Sequence, residues 1–198
     1  MAESNPMSIK PLIASIATSL MLMSGLPVQA QAQAVLTGDV RLACEAILCL
    51  SSSTRPGECA TALRRYFSIS HTKLTDTLKA RLNFLNLCPA AGQDSGMKTL
   101  VRAIRDGAGR CDAASLNRSL AVYDSEGELL HILNKLPNYC GVYYSHEYTD
   151  LSDNLARYVG TPSRGGRWVE AHQYDAELAK YRKRIEAEDR YQRDQWNY

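Results

Sequence analysis

Apolar residues recur at helical rather than alternating spacing through the first half of this chain. Between Asp39 and Leu50 the positions Val40, Ala43, Ile47, Leu48 and Leu50 share one side, after an aspartate suited to capping a helix N-terminus. The run Ser51-Ser52-Ser53-Thr54-Arg55-Pro56-Gly57 breaks that helix. A second helix is predicted from about Glu58 to Ile69, with Ala62, Leu63, Tyr66 and Phe67 inward. A third opens near Ser70 to Thr72 and runs to Leu87 with Leu74, Leu78, Leu82, Leu85 and Leu87 apolar. Pro89 stops it, because its ring and missing N–H cannot continue a helix.

Downstream the pattern is less regular. Met97 to Ile104 reads as a helix ended by Gly107-Ala108-Gly109, and Asp112 would cap another over Ala113 to Val122. Asp124 to Gly127 reads as a turn before a further helical stretch, Glu128 to Leu136. From Pro137 to Trp168 regular structure fades into an irregular cover carrying Tyr139, Tyr143, Tyr144, Tyr148 and Tyr158, with at most one short strand near Trp168-Val169. The last 24 residues, Asp175 to Tyr198, are half charged with equal numbers of each sign. They predict a solvated helix with Glu186–Arg190 and Asp189–Arg193 pairs and a weak apolar stripe of Tyr174, Leu178, Tyr181 and Ile185. The expected fold class is all-α: a small disulfide-stapled helical domain with an irregular Tyr-rich segment and a charged C-terminal helix.

The N-terminus has a different character. Lys10 precedes an uncharged apolar run from Leu12 to Leu26, then Pro27 and three small-x-small sites ending at Ala30, Ala32 and Ala34. A membrane-spanning helix needs roughly 20 apolar residues, and this run breaks at Gly25 and Pro27 before reaching that length. Residues 1–32 therefore read as a cleaved signal peptide. They leave a disulfide-bonded helical domain over 33–174, a charged helical tail over 175–198 and no membrane span in the mature protein.

Charge narrows the function classes. The chain carries a net charge of +2. Val35 to Arg110 hold 11 Lys and Arg against 6 Asp and Glu, while Cys111 to Tyr174 hold 5 against 8. Neither excess makes the basic stripe of a nucleic-acid binder, so direct nucleic-acid contact is not expected. Such asymmetry suits a charged face on a protein partner.

All six cysteines, Cys44, Cys49, Cys59, Cys88, Cys111 and Cys140, follow the leader, the pattern of an exported, oxidised chain. No Cys-x-x-Cys redox pair is present, and Cys44-x4-Cys49 has no matching second pair for zinc, so neither metal nor cofactor is expected. Cys49 and Cys59 lie at similar distances from the centre of the Ser51 to Gly57 loop. Antiparallel helices would bring them face to face. That favours Cys49–Cys59, then Cys44–Cys88 and Cys111–Cys140, as one arrangement among the fifteen that six cysteines allow.

Two groups of residues are candidates for function. His146, Glu147 and Asp150 place an imidazole and two carboxylates within five residues, a set able in principle to run acid–base hydrolysis. They lack a nucleophile elbow, a His-Glu-x-x-His pair or a phosphate-cradling loop, and structural hydrogen bonding is the competing reading. His71, His131 and His172 are isolated. The second group is aromatic: Tyr143, Tyr144, Tyr148, Trp168 and Tyr174, with His146, form a candidate interaction surface, or else the lid of a small core.

Several runs resemble the TrbM/KikA family of conjugal transfer proteins. They are Leu36-Thr37-Gly38-Asp39, Cys44-Glu45-Ala46-Ile47-Leu48-Cys49-Leu50-Ser51-Ser52, Arg55-Pro56 to Cys59, and Asn83-Phe84-Leu85-Asn86-Leu87-Cys88-Pro89. Gly109-Arg110-Cys111-Asp112, Tyr139-Cys140 with His146, Tyr148-Thr149-Asp150, and Gly165-Gly166 to Trp168-Val169 extend the likeness over Leu36 to Glu170. The resemblance implies a periplasmic accessory protein of the mating-pair formation apparatus, a type IV secretion system, and the favoured reading is a non-enzymatic part of it. Its partners would be other protein components of that apparatus, and it brings no catalytic residue. A small periplasmic hydrolase acting on cell wall or protein through His146 with Glu147 or Asp150 is the alternative.

Overall fold

The computed structural model describes residues 35–196, so the leader expected over 1–32 lies outside the described residues. α1 (Gly38–Ser51) starts from an extended Thr37 and buries Ala43, Ala46, Ile47, Cys49 and Leu50. Ser51 Oγ donates back to the Ile47 carbonyl at 2.8 Å, and the chain turns out of the helix at Ser52. α2 (Cys59–Ser68) returns alongside it. Two devices fix the antiparallel register: the Cys49–Cys59 bridge, with Cα atoms 5.8 Å apart, and Arg65 gripping both oxygens of Asp39 at the far end at 3.1 and 2.7 Å.

α3 (Leu74–Leu85) supplies Thr77, Phe84 and Leu85 to the interior and ends just before Cys88, which bridges back to Cys44 with Cα atoms 4.9 Å apart. α4 (Ser95–Gly107) is capped by Asp94, whose carboxylate accepts from the Met97 N–H at 2.8 Å, and buries Leu100, Val101, Ala103 and Ile104. These four helices enclose the larger core around Tyr66, Leu50, Leu85 and Ile104. Arg81 lies 5.0 Å from the Tyr66 ring, and the same guanidinium spans to Phe67 at 5.4 Å.

α5 (Ala113–Ser119), capped by Asp112 as its sequence foretold, leads into β1 (Ala121–Tyr123) and β2 (Leu129–Ile132), an antiparallel pair. The helical expectation for Glu128 to Leu136, and for Ala121 and Val122, is therefore corrected. The intervening turn forms over Asp124 to Gly127 as its residues predict, and it decides the outcome. Asp124 accepts from the Glu126 and Glu128 N–H groups, both at 2.9 Å, while Gly127 takes φ +85°, so the chain reverses into a hairpin.

The stretch expected to be irregular also has order. α6 (Asn138–Tyr144) follows Pro137, and β3 (Arg157–Val159) pairs with β4 (Arg167–Val169), joined through a 3₁₀ turn at Pro162–Arg164. Helices dominate the fold, but two small antiparallel sheets make the all-α expectation only approximate. α5, α6 and these sheets enclose a second, smaller core of Cys111, Leu116, Cys140, Ala156 and Trp168. Cys111–Cys140, with Cα atoms 5.5 Å apart, runs through it. Several leucines expected inward face solvent instead, notably Leu48, 71% exposed, and Leu74 and Leu87 on α3 and just after it.

α7 (Tyr174–Trp196) carries the charged tail, with none of its described residues buried. Its first two thirds dock on the β3–β4 hairpin. Arg167 pairs with Glu177, Arg164 with Glu188 and Asp189, and Tyr181 packs across Gly160 with its hydroxyl 3.2 Å from the Thr161 N–H. Glu186–Arg190 forms at 3.1 Å as its spacing predicts, whereas Asp189 takes Arg164 at 2.7 Å. No helix among the described residues is long and apolar enough to cross a membrane.

Candidate functional site

The tyrosine-rich segment does not form one surface. Pro137 starts α6 so that Tyr143 points into the larger core, where its hydroxyl donates to the Leu50 carbonyl at 2.6 Å. Burial pushes this phenol far above its ordinary pKa, an effect the nearby Arg55 guanidinium partly offsets. Trp168 is likewise interior. Its indole N–H donates to the Leu133 carbonyl at 3.0 Å, and its backbone pairs in both directions with the Asn117 side chain at 2.8 Å. As members of an exposed interaction surface, Tyr143 and Trp168 are corrected: both are core side chains.

Tyr144 is half-buried and packs against both cores, donating to the Cys111 carbonyl at 3.0 Å. Its pKa is pushed up to about 12, first by burial and then by the carboxylates of Glu170 and Asp112. Tyr174 sits elsewhere, at the start of α7, beneath the Arg157 guanidinium at 3.4 Å. Tyr148 is exposed, its ring lying over Gly96 at the start of α4.

His146 bridges two elements. Its Nδ1 accepts from the Tyr148 N–H at 3.1 Å, which places the ring proton on Nε2, 3.0 Å from Thr99 Oγ1. Thr99 is free to accept because its own hydroxyl donates to the Gly96 carbonyl at 2.8 Å. Neither Glu147 nor Asp150 stands within ion-pair distance of the imidazole, among the described residues. Asp150 instead gives its backbone N–H to the Ser51 carbonyl at 2.7 Å, tying this loop to the end of α1.

Where the two cores meet, the chain leaves a cleft of about 390 Å³. Its floor is Tyr143, Tyr144, Leu151 and the Gly107-Ala108-Gly109 stop of α4. Arg55, Asn154, Asp112 and Glu170 also line it. These walls are held from behind. Asn154 donates to the Ser53 carbonyl at 3.1 Å, Asp112 accepts from the Ser115 N–H at 2.9 Å, and Glu170 accepts from the Ala113 N–H at 2.8 Å. The set escapes sequence reasoning because it is drawn from five distant segments. The Asp112 cap, the Gly107-Ala108-Gly109 stop and the two tyrosines are the parts that carry a signal in the sequence.

A disulfide-stapled, mainly helical domain with a bipolar cleft and every cysteine in the described residues paired is the class these features define. The chain belongs to the TrbM family, whose model matches residues 35–182. That makes it a conjugal transfer-related protein. No curated protein and no solved structure matches it.

Proposed function

We propose that this protein is a periplasmic accessory component of plasmid conjugal transfer, part of mating-pair formation in a type IV secretion system, and that it acts by binding other protein components. Family membership over residues 35–182 carries the process. The three disulfides support an oxidising compartment, in keeping with a leader over 1–32 that is removed on export.

Contact with protein partners is supported by what the fold leaves uncovered. Tyr123, Leu129, Leu130 and Leu133 are each about half exposed on or beside the β1–β2 hairpin, next to the acidic turn residues Asp124, Glu126 and Glu128. Apolar side chains grouped in this way mark recognition surfaces more often than solvated ones. The tail over 175–198 offers a second face through Tyr191 and Trp196, both exposed beyond the docked part of α7.

The test is crosslinking and affinity purification of the tagged protein from the periplasm of donor cells, with mass spectrometry of what is recovered. Channel or pilus components should be enriched, and Leu130→Lys should lose them while leaving the fold unchanged. Recovery of the bare protein from cells actively transferring plasmid would defeat the reading.

A further inference from the structure

The cleft between the two cores holds opposite charges that do not neutralise one another. Arg55 makes no ion pair among the described residues, and neither Asp112 nor Glu170 pairs with a basic group. Elsewhere in this fold facing charges close on each other, as Arg65 does on Asp39 and Arg164 on Asp189. Here Arg55, Asp112 and Glu170 line one cleft beside Tyr143 and Tyr144, whose rings are 5.6 Å apart.

Each carboxylate uses one oxygen to hold the start of α5, and the other takes no hydrogen bond among the described residues. Glu170 Oε1 accepts from the Ala113 N–H and Asp112 Oδ1 from the Ser115 N–H, which leaves Oε2 and Oδ2. These groups are therefore fixed in place before any ligand arrives. A preformed polar site loses little ordering entropy on binding. The volume of about 390 Å³ lies at the small end of ligand pockets, room for a short peptide rather than a folded element.

We propose that this cleft binds a short zwitterionic peptide, its carboxylate on Arg55, its ammonium on Glu170 and Asp112, and its backbone beside the half-buried Tyr144. Charge-assisted hydrogen bonds at both ends give the site its selectivity, since a peptide lacking either charge leaves Arg55 or the two carboxylates unmatched. The inference concerns the cleft alone and does not rest on the conjugation reading. A partner captured through the hairpin leaves it open, and its failure leaves that reading intact.

The experiment is a titration of the isotopically labelled, oxidised full chain with trialanine, followed by amide chemical shifts. The same peptide N-acetylated, or C-amidated, serves for comparison. Free trialanine should shift the amides of Asp112, Tyr144 and Asn154, and each capped form should bind about tenfold more weakly. Arg55→Ala should weaken the free peptide to the level of the amidated one and leave the amidated peptide unaffected. Glu170→Gln, which keeps an oxygen for the Ala113 N–H, should do the same for the acetylated form. Equal binding of free and capped peptides, shifts confined to other surfaces, or no shift at ~10 mM peptide would each overturn the proposal.

Discussion

Gly107 lies against Tyr143 with no room for a side chain: a Cβ at this last position of α4 would stand 2.5 Å from the tyrosine Cβ and ring. The close approach lets α6 lie on α4, which brings the Tyr143 hydroxyl to the Leu50 carbonyl and forms the floor of the cleft. Gly141, two residues before Tyr143 on α6, has open space around it. Gly107→Ala should therefore destabilise by about 1–3 kcal/mol through overpacking. Gly141→Ala should stabilise by about 0.5–1 kcal/mol, the usual helix gain. Urea unfolding of the oxidised variants reads both, and equal signs would contradict the packing described.

Removing the Tyr143 hydroxyl leaves the Leu50 carbonyl buried without that donor. Tyr143→Phe should cost about 1–3 kcal/mol, while Tyr144→Phe, at a half-buried site, should cost less. The order of the two unfolding midpoints is the check.

Alkali should unfold the protein through its interior phenols. Burial raises Tyr66 from 10.0 to about 12, Tyr144 to about 12, and Tyr143 in the same direction. Below pH 10 the folded and unfolded chains both keep these protons, so their stabilising effect is fully present. Above it the unfolded chain ionises first, and stability falls as pH rises toward the folded values. Ultraviolet titration should show these tyrosines ionising only together with loss of helical circular dichroism. Their ionisation in a still-folded protein would count against the burial.

Acid should release α7 before the core. Lys180 and Arg167 hold Glu177 below its ordinary 4.5, Arg184 and Arg164 do so for Glu188, and Arg164 holds Asp189 below 3.8. Lowered carboxylates stabilise above the ordinary range and lose that effect as pH falls through their folded values. These pairs lie at the surface, so salt should mimic acid. Hydrogen exchange compared between α7 and α4 decides it. A tail as protected as α4 in acid and high salt would be the contrary result.

His146→Ala should leave plasmid transfer near its normal frequency, because the ring meets Thr99 and the Tyr148 backbone rather than a carboxylate. A transfer defect in a variant that stays folded would return weight to hydrolysis.

The legible parts of this fold are those with local causes. Asp112 at its cap, Pro89 at its stop and the near-symmetric placing of Cys49 and Cys59 about one loop each act within a few residues. The β1–β2 hairpin is not legible in the sequence because Leu129, Leu130, Ile132, Leu133 and Leu136 satisfy helical spacing as well as a strand. Pairing with Ala121 to Tyr123 settles it, and no periodicity reports pairing. The docking of α7 hid for a similar reason. Arg164 and Arg167 lie far from Glu177 and Asp189 in sequence, and charge counts do not say which charges meet. The cleft was the least visible, since Arg55 and Glu170 acquire meaning only when two cores close around them.

The three cross-links make folding conditional on chemistry outside the chain. Their sequence separations of 10, 29 and 44 residues correspond to about 3–4 kcal/mol each in the loop-entropy account. Together they rival the whole stability of an ordinary domain, about 5–15 kcal/mol. A reduced copy would thus spend much of its time unfolded and open to proteolysis. Oxidation then works as a licence to fold: a molecule kept among thiols lacks the cross-links that hold its helices in register.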